Sequence, residues 1–323
     1  MLAVCLFLLG SKMQFLSNLD LRSFKRSIAK VPYQCVSSDV FPGVDLWVRR
    51  DDLLDPLISG NKGYKLIFNL LEARRQNTKT LITCGGAWSN HIHATAAAGQ
   101  RFGFRTVGII RGEAESYLSA TLQDARRMGM QLHFVSRAAY RERHRSDFPR
   151  FAGLDVTNSC YIPEGGANLA GARGVGLLGA MIQQTQPIKF AECWVACGTG
   201  LTLGALGATL GQTLKVVGVS VLKDRGSVER SANFWRSELD GGESGIDVRT
   251  DYHCGGYARY PVYLDQFRHS FQCQTGIPLD PIYTAKLAYA LQQNAIEGGG
   301  ASCRRRKVLM LHTGGLQGVR GDQ

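Results

Sequence analysis

Lys62 is the residue in this chain best placed to do covalent chemistry. It follows the turn-forming Ser59-Gly60-Asn61 and precedes a helix-like run from Tyr64 to Arg75. A lysine there is held by the helix on one side and free to reach on the other, which suits a Schiff base with a carbonyl cofactor. The plain alternative, a surface lysine at a helix start, sets a cation against the positive end of the helix dipole. Gly85-Gly86-Ala87-Trp88-Ser89-Asn90-His91 ends the apolar run Thr80 to Cys84 and turns into an alanine-rich helix. Backbone N–H groups at that junction, with Ser89 and Asn90, point at whatever the lysine holds, although serine and asparagine are also routine helix N-caps. Cys197-Gly198-Thr199-Gly200-Leu201-Thr202 lies between an apolar strand and a helix. Its glycines let the backbone come close, and its N–H groups with the Thr199 and Thr202 hydroxyls can cradle a phosphate. A dinucleotide fingerprint needs its third glycine one place before Gly204, and no Walker-type loop occurs, so a monophosphate is the expected ligand.

The elements that would position these residues alternate along the chain. Strand-like runs are expected at Leu46–Arg50, Thr80–Cys84, Thr106–Ile110, Gln131–Val135, Glu192–Cys197, Val216–Ser220 and Val308–Leu311. Helix-like runs are expected at Lys65–Arg75, Ala94–Phe102, Ala114–Met128, Gly171–Gln184, Leu203–Leu210 and within Leu279–Gln293. Short apolar runs alternating with amphipathic segments predict parallel sheets covered by helices.

The 323 residues suffice for one large or two medium domains, and 44% hydrophobic with 20% charged residues is ordinary for a globular protein. The 38 glycines cluster in short loops, as in a protein with several backbone-lined binding turns. The formal charge of +12 is scattered, with local runs only at Arg141–Arg145 and Arg304–Lys307. Neither run interleaves aromatics or matches a nucleic-acid motif, so both read as solvated faces, with a positive field that would attract a carboxylate substrate. Nine cysteines without a CxxC read as reduced thiols of a cytoplasmic protein. No metal is expected, because His91 and His93 lack the i, i+4 spacing of helical ligands. The apolar start, Met1 to Leu9, has no basic residue ahead of it and is too short to span a bilayer. It reads as an upstream start, with Met13 the working one.

The same order of motifs continues with Tyr161-Ile162-Pro163-Glu164-Gly165-Gly166-Ala167-Asn168, Gly255-Gly256-Tyr257, Asp280-Pro281-Ile282-Tyr283-Thr284 and His312-Thr313-Gly314-Gly315. Together, from about Trp47 to Gly321, they resemble the fold-type II pyridoxal-phosphate enzymes, and within them the family of 1-aminocyclopropane-1-carboxylate deaminase and D-cysteine desulfhydrase. That resemblance implies two three-layer α/β domains with mostly parallel sheets and pyridoxal 5'-phosphate in the cleft between them. Residues 1–64 and 164–323 would form the larger, cofactor-binding domain, with 65–163 a smaller inserted one. Lys62 would hold the cofactor and move protons, Asn90 would donate to its phenolic oxygen, and Ser89 and His91 would lie beside the substrate. The segment Cys197, Gly198, Thr199, Gly200, Leu201, Thr202 would bind the phosphate, Thr313 would add a cofactor contact, and Tyr257 and Tyr283 would flank the substrate side of the ring. Glu164, Asn168 and His312 stand evenly between cofactor contact and loop structure.

Thr284 would face the pyridine nitrogen, where the deaminases carry glutamate. A neutral partner leaves a weaker electron sink, suited to β-elimination of a thiolate, and His91 in place of their glutamine leans the same way. The implied reaction is D-cysteine to pyruvate, ammonia and sulfide, in a cytoplasmic homodimer that binds a small amino acid and neither nucleic acid nor membrane. The alternative is 1-aminocyclopropane-1-carboxylate to 2-oxobutanoate and ammonia. Outside this chemistry stand a nicotinamide-dependent oxidoreductase and a non-catalytic cofactor-binding protein.

Overall fold

The computed structural model describes residues 13–36, 39–113, 117–223, 226–242, 245–298 and 305–321. The expected upstream start lies outside them, as does Arg304 of the second basic run. The strands are β1 (Tyr33–Val36), β2 (Val44–Arg49), β3 (Thr80–Gly85), β4 (Arg105–Arg111), β5 (Met130–Val135), β6 (Ser159–Ile162), β7 (Glu192–Cys197), β8 (Lys215–Ser220), β9 (Ile246–Arg249) and β10 (Arg306–Leu311). They form two sheets, a six-stranded one ordered β1-β2-β10-β7-β8-β9 and a four-stranded one ordered β5-β4-β3-β6. Every pairing is parallel except β1 with β2. The fold is therefore α/β with mostly parallel sheets.

The helices are α1 (Leu21–Ala29), α2 (Asn61–Arg75), α3 (Asn90–Phe102), α4 (Ala120–Arg127), α5 (Phe148–Phe151), α6 (Leu169–Thr185), α7 (Leu201–Leu210), α8 (Ser227–Ser237), α9 (Val262–Thr275) and α10 (Thr284–Glu297). Strand alternation shows why helices must cover both faces of the large sheet. In β7, Cys193 and Val195 join the core packed under α2, α6 and α7, while Trp194 and Ala196 join the one packed under α9 and α10. β10 divides likewise, Leu309 and Leu311 to one side and Val308 and Met310 to the other. A strand apolar on both faces is stable only in the middle layer of a three-layer sandwich. In the small sheet Ile110 packs with Ile92 and Leu122, and its neighbour Ile109 with Tyr140 and Phe148.

The expected helices start two to six positions away from the residues read in the sequence, and two of the observed starts have a clear local cause. α10 begins at Thr284 because Asp280 terminates the preceding loop, its Oδ1 accepting from the Ile282 and Tyr283 amides (3.0 and 2.7 Å) and its Oδ2 from that of Thr284 (2.9 Å). α4 begins at Ala120, where the Ser119 hydroxyl caps the Leu122 amide at 3.2 Å. Among the described residues no helix is long and apolar enough to cross a membrane, and all seven described cysteines are free.

Candidate active site

Lys62 is placed by a buried scaffold. Arg49 and the Tyr64 hydroxyl hold Asp51, at 3.3 and 2.6 Å, and the Asp51 carbonyl accepts the Gly60 amide at 3.1 Å. Asp55 pairs with Arg101 of α3 and caps the Leu57 and Ile58 amides at 2.9 and 2.8 Å. These contacts fix the Ser59-Gly60-Asn61 turn against the last strand, where the Asn61 amide reaches the Thr313 carbonyl at 3.3 Å. Gly60 sits at φ +59, and a Cβ there would lie 1.9 Å from the Thr313 carbonyl oxygen. Only glycine allows both the positive φ and that approach. Lys62, at the second position of α2, then turns its amine into a cavity and donates to Asn61 Oδ1 at 2.9 Å.

The cavity, about 1060 Å³, is lined by residues at the carboxyl ends of strands from both sheets, among them Gly86 after β3, Arg111 of β4 and Gly198 after β7. Ligand sites of open α/β sheets lie at such strand ends. The cavity collects Lys62, Ser89, Asn90, His91, Cys197, Gly198, Thr199, Gly200, Thr202, Tyr257, Tyr283 and Thr313 from segments far apart in the chain. Ser89 is the N-cap of α3, its hydroxyl accepting from the Ile92 amide at 3.3 Å. Asn90 Oδ1 accepts from Gln317 at 3.1 Å. At the start of α7, Thr202 Oγ1 accepts from Asn61 Nδ2 at 3.3 Å, which ties the phosphate-type loop to the turn that bears Lys62. Gly204 is a packing residue, since a Cβ there would meet the Ala232 carbonyl at 2.2 Å. The Tyr257 and Tyr283 rings meet edge to face at 6.2 Å. Burial, the neighbouring Tyr257 and its hydrogen bond hold the Tyr283 hydroxyl well above the usual phenol range.

Two expected site residues do not line the cavity. Leu201 buries its side chain in the core, although its backbone opens α7. Thr284 is also fully buried and does not line the cavity; its hydroxyl donates to Asp280 Oδ2 at 2.6 Å. That contact engages the hydroxyl proton at the start of α10. Asn168 lines the cavity but works as the N-cap of α6, accepting from the Gly171 amide at 2.8 Å. His312 is buried, its Nε2 donating to the Pro278 carbonyl at 2.6 Å. Glu164 lines the cavity and accepts from Tyr140 at 2.8 Å and Arg143 at 2.6 Å. The first basic run is not simply a solvated face, for Arg143, His144 and Arg145 are on the cavity wall.

Sequence reasoning missed Lys65. It follows Lys62 by one helical turn, a spacing that puts both on one face of α2, and it is only 3% exposed. Burial first, then the nearby Lys62, push its pKa well down. His91 is 1% exposed, and neither ring nitrogen has a hydrogen-bond partner among the described residues. Burial, then Lys62 and Lys65, keep its imidazole neutral. The Gly165-Gly166 turn closes on both, a Cβ at Gly166 lying 3.0 Å from Lys65 Cβ and 3.4 Å from His91 Cε1. Buried polar groups left without partners lose considerable free energy unless a ligand completes them. Pyridoxal phosphate fits this set of groups: its aldehyde would meet Lys62, and its phosphate would meet the α7 amino end and the Lys65 amine.

Burial lowers the Lys62 pKa from 10.5 to about 8, with Asp280 opposing. The neutral amine is the nucleophile, so its reaction with an aldehyde grows about tenfold per pH unit below that pKa and levels above it. Reductive labelling of the apoprotein with pyridoxal phosphate and cyanoborohydride, followed by peptide mapping, should show Lys62 modification half-maximal near the pKa of about 8 and level by about pH 9. A yield that climbs steadily to about pH 10, as for a solvated lysine, would contradict the buried setting.

A family model described as pyridoxal-phosphate dependent enzyme matches residues 30–257. A mitochondrial bifunctional D-cysteine desulfhydrase/1-aminocyclopropane-1-carboxylate deaminase of Arabidopsis thaliana is 32% identical, over 86% of this chain and 74% of the relative. A D-cysteine desulfhydrase of Serratia proteamaculans is 26% identical over 84% and 87% of the two chains. Among solved structures, an ACC deaminase homologue superposes with a TM-score of 0.74 at 26% identity, covering 90% of each chain. With this match spanning the lysine turn, the Ser89 turn and the glycine loop, the chain belongs to the pyridoxal-phosphate dependent enzymes, as a lyase of the branch that holds the D-cysteine desulfhydrases and 1-aminocyclopropane-1-carboxylate deaminases.

Proposed function

We propose that the enzyme carries out β-elimination on D-cysteine, which with one water gives pyruvate, ammonia and hydrogen sulfide. The observation that carries this reading is the state of the cavity's acids. Glu164 is the one carboxylate lining the cavity among the described residues, and Tyr140 and Arg143 engage it. The Asp280 oxygens accept from three backbone amides and Thr284. Neither carboxylate is free to protonate a departing group. A thiolate needs little such help, since thiols ionise near pH 8.5.

When bound, pyridoxal phosphate supplies an electron sink for negative charge at the substrate's Cα. The chain's residues do the rest. Lys62, with its pKa lowered to about 8, takes the α-proton, and Asn61 Oδ1 aims its amine. The Ser89 hydroxyl and the first amides of α3 hold the substrate carboxylate, as a helix start favours an anion. Tyr257 and Tyr283 border the substrate, and Tyr283 keeps its proton and donates rather than acting as a base. Lys65 and the α7 amino end balance the phosphate charge. His91, neutral and unpartnered, completes the wall beside the substrate. Residues 65–163 would form the inserted domain, and the working form would be a cytoplasmic homodimer that binds neither nucleic acid nor membrane; the free cysteines suit that compartment.

A second reading, 1-aminocyclopropane-1-carboxylate deamination, draws on the Arabidopsis relative, whose name joins both activities. One preparation assayed on both substrates decides between them. D-cysteine should bleach the visible cofactor band and release sulfide and pyruvate in equal amounts, with kcat/KM at least about tenfold above that for the cyclopropane substrate. The reverse ratio would transfer the assignment to the deaminase.

A further inference from the structure

The cavity, about 1060 Å³, has to hold the cofactor together with the substrate, but its wall is more basic than the cofactor phosphate and a three-carbon amino acid require. Beyond the residues already given roles, its wall includes Arg111, Arg143, His144 and Arg145. Arg111 ends β4 and lies beside the turn that leads to Ser89, its Nη2 3.6 Å from the position of a Cβ on Gly86. Its positive charge also acts on the Tyr257 hydroxyl, so it faces the substrate side of the site. Among the described residues no carboxylate pairs with it, and its side chain is exposed to the cavity.

The other two arginines are held in place. Arg143 Nε donates to Glu164 at 2.6 Å, and its guanidinium lies 5.3 Å from the Tyr140 ring centre. Arg145 grips Asp147 through Nε and Nη2 at 2.9 and 3.0 Å and lies 5.1 Å from the Phe151 ring centre. Each guanidinium has five N–H donors, and these pairs use only some of them. Glu164 and Asp147 balance two of the three charges, which leaves Arg111, among the described residues, as the arginine of this wall without a paired carboxylate.

We propose that Arg111, supported by Arg143 and Arg145, is an anion subsite, and that the preferred substrate is an amino acid whose β-substituent carries a second negative charge, such as a carboxylate or phosphate. The inference rests on the elimination reading and narrows its substrate class. The reaction stays balanced: Lys62 takes the α-proton, the Cα–H electron pair becomes the Cα–Cβ double bond, and the Cβ–X pair departs with X. One water then releases pyruvate and ammonia, with no change in oxidation state. An anionic X is oriented by Arg111 as it leaves, where a bare thiol would leave the guanidinium unused.

The test is a matched pair, S-carboxymethyl-cysteine against S-carbamoylmethyl-cysteine, in both enantiomers, with O-phosphoserine as a third probe and D-cysteine as reference. The first two differ only in a carboxylate against an amide. The carboxylate compound should be favoured by about tenfold in kcat/KM, as expected for one charge-assisted guanidinium contact in a half-open site. Added salt at 0.5 M should narrow that preference (about 4 Å screening length), Arg111→Met should reduce it to about one, and Arg111→Lys should keep part of it. Calorimetric Kd values for the same pair on borohydride-reduced protein give a readout free of turnover and should show the same order. A phosphate source is indicated if O-phosphoserine exceeds the carboxymethyl compound. Equal kcat/KM and equal Kd for the pair, in an enzyme that still consumes D-cysteine, would overturn the subsite and leave the elimination reading intact. Turnover of none of the four, with Kd values still favouring the carboxylate, would keep the subsite and overturn the elimination.

Discussion

Lys62→Ala lowers kcat/KM for D-cysteine by about 10,000-fold or more and removes the visible absorbance of a lysine-bound cofactor. The size follows from the two roles proposed for one amine, covalent attachment and proton transfer, the second alone contributing about 100- to 10,000-fold. No neighbour replaces it. Lys65 lies one turn on and is buried on the side assigned to the phosphate, while His91 is neutral and offers no primary amine. The α7 amino end and Lys65 remain, so the variant still binds pyridoxal phosphate, but loosely enough to lose it on dialysis. Absorbance and steady-state sulfide release on the dialysed variant are the measurements. A Lys62→Ala protein that retained even about a hundredth of the wild-type rate would show that the amine is not central.

Gly60→Ala destabilises the enzyme by about 4 kcal/mol or more, in the range reserved for backbone strain and steric overlap. The new Cβ would stand 1.9 Å from the Thr313 oxygen, 2.2 Å from its carbon and 2.6 Å from the Gly314 nitrogen. All three are backbone atoms, so no rotamer change relieves the clash. The displaced segments bear Lys62 on one side and Thr313 on the other, and activity falls with stability. Gly103→Ala is the control. Its φ is also positive, +78, but a Cβ there meets nothing within 4 Å, so only the conformational term of about 1 kcal/mol remains. Thermal melts should separate the two, Gly60→Ala by about 8 °C or more and Gly103→Ala by about 2–4 °C. Equal shifts would mean that the Gly60–Thr313 approach is not tight.

The strand readings held for every strand inside a sheet and for one of the four edge strands, β5, and failed at the other three. β2, β3, β4, β7, β8 and β10 are apolar runs legible from residue types alone, and β7 matches residue for residue. β1, β6 and β9, which went unread, are edge strands whose residues are mostly half-exposed. An edge strand needs no continuous apolar run, so its signal merges with that of a loop. α8 and α9 were missed because each buries few residues, among them Val228 and Ala232 in α8 and Leu264 and Phe271 in α9.

Residue types and local order determined the chemistry. A lysine after a glycine turn, a serine-asparagine turn after a strand, and a glycine-threonine loop before a helix are each local patterns, because turn geometry and helix starts depend on a few neighbouring residues. Pairings through space were decided only by the tertiary structure. Thr284 turned to Asp280, one helical turn back, rather than to the cavity. Lys65 and His91 were enclosed together by a glycine turn about a hundred residues on in the case of Lys65. Arg111 and the 141–145 run were brought onto one wall. Burial and charge compensation depend on which distant segments the sheets bring together, and a side chain's own sequence neighbours do not encode that.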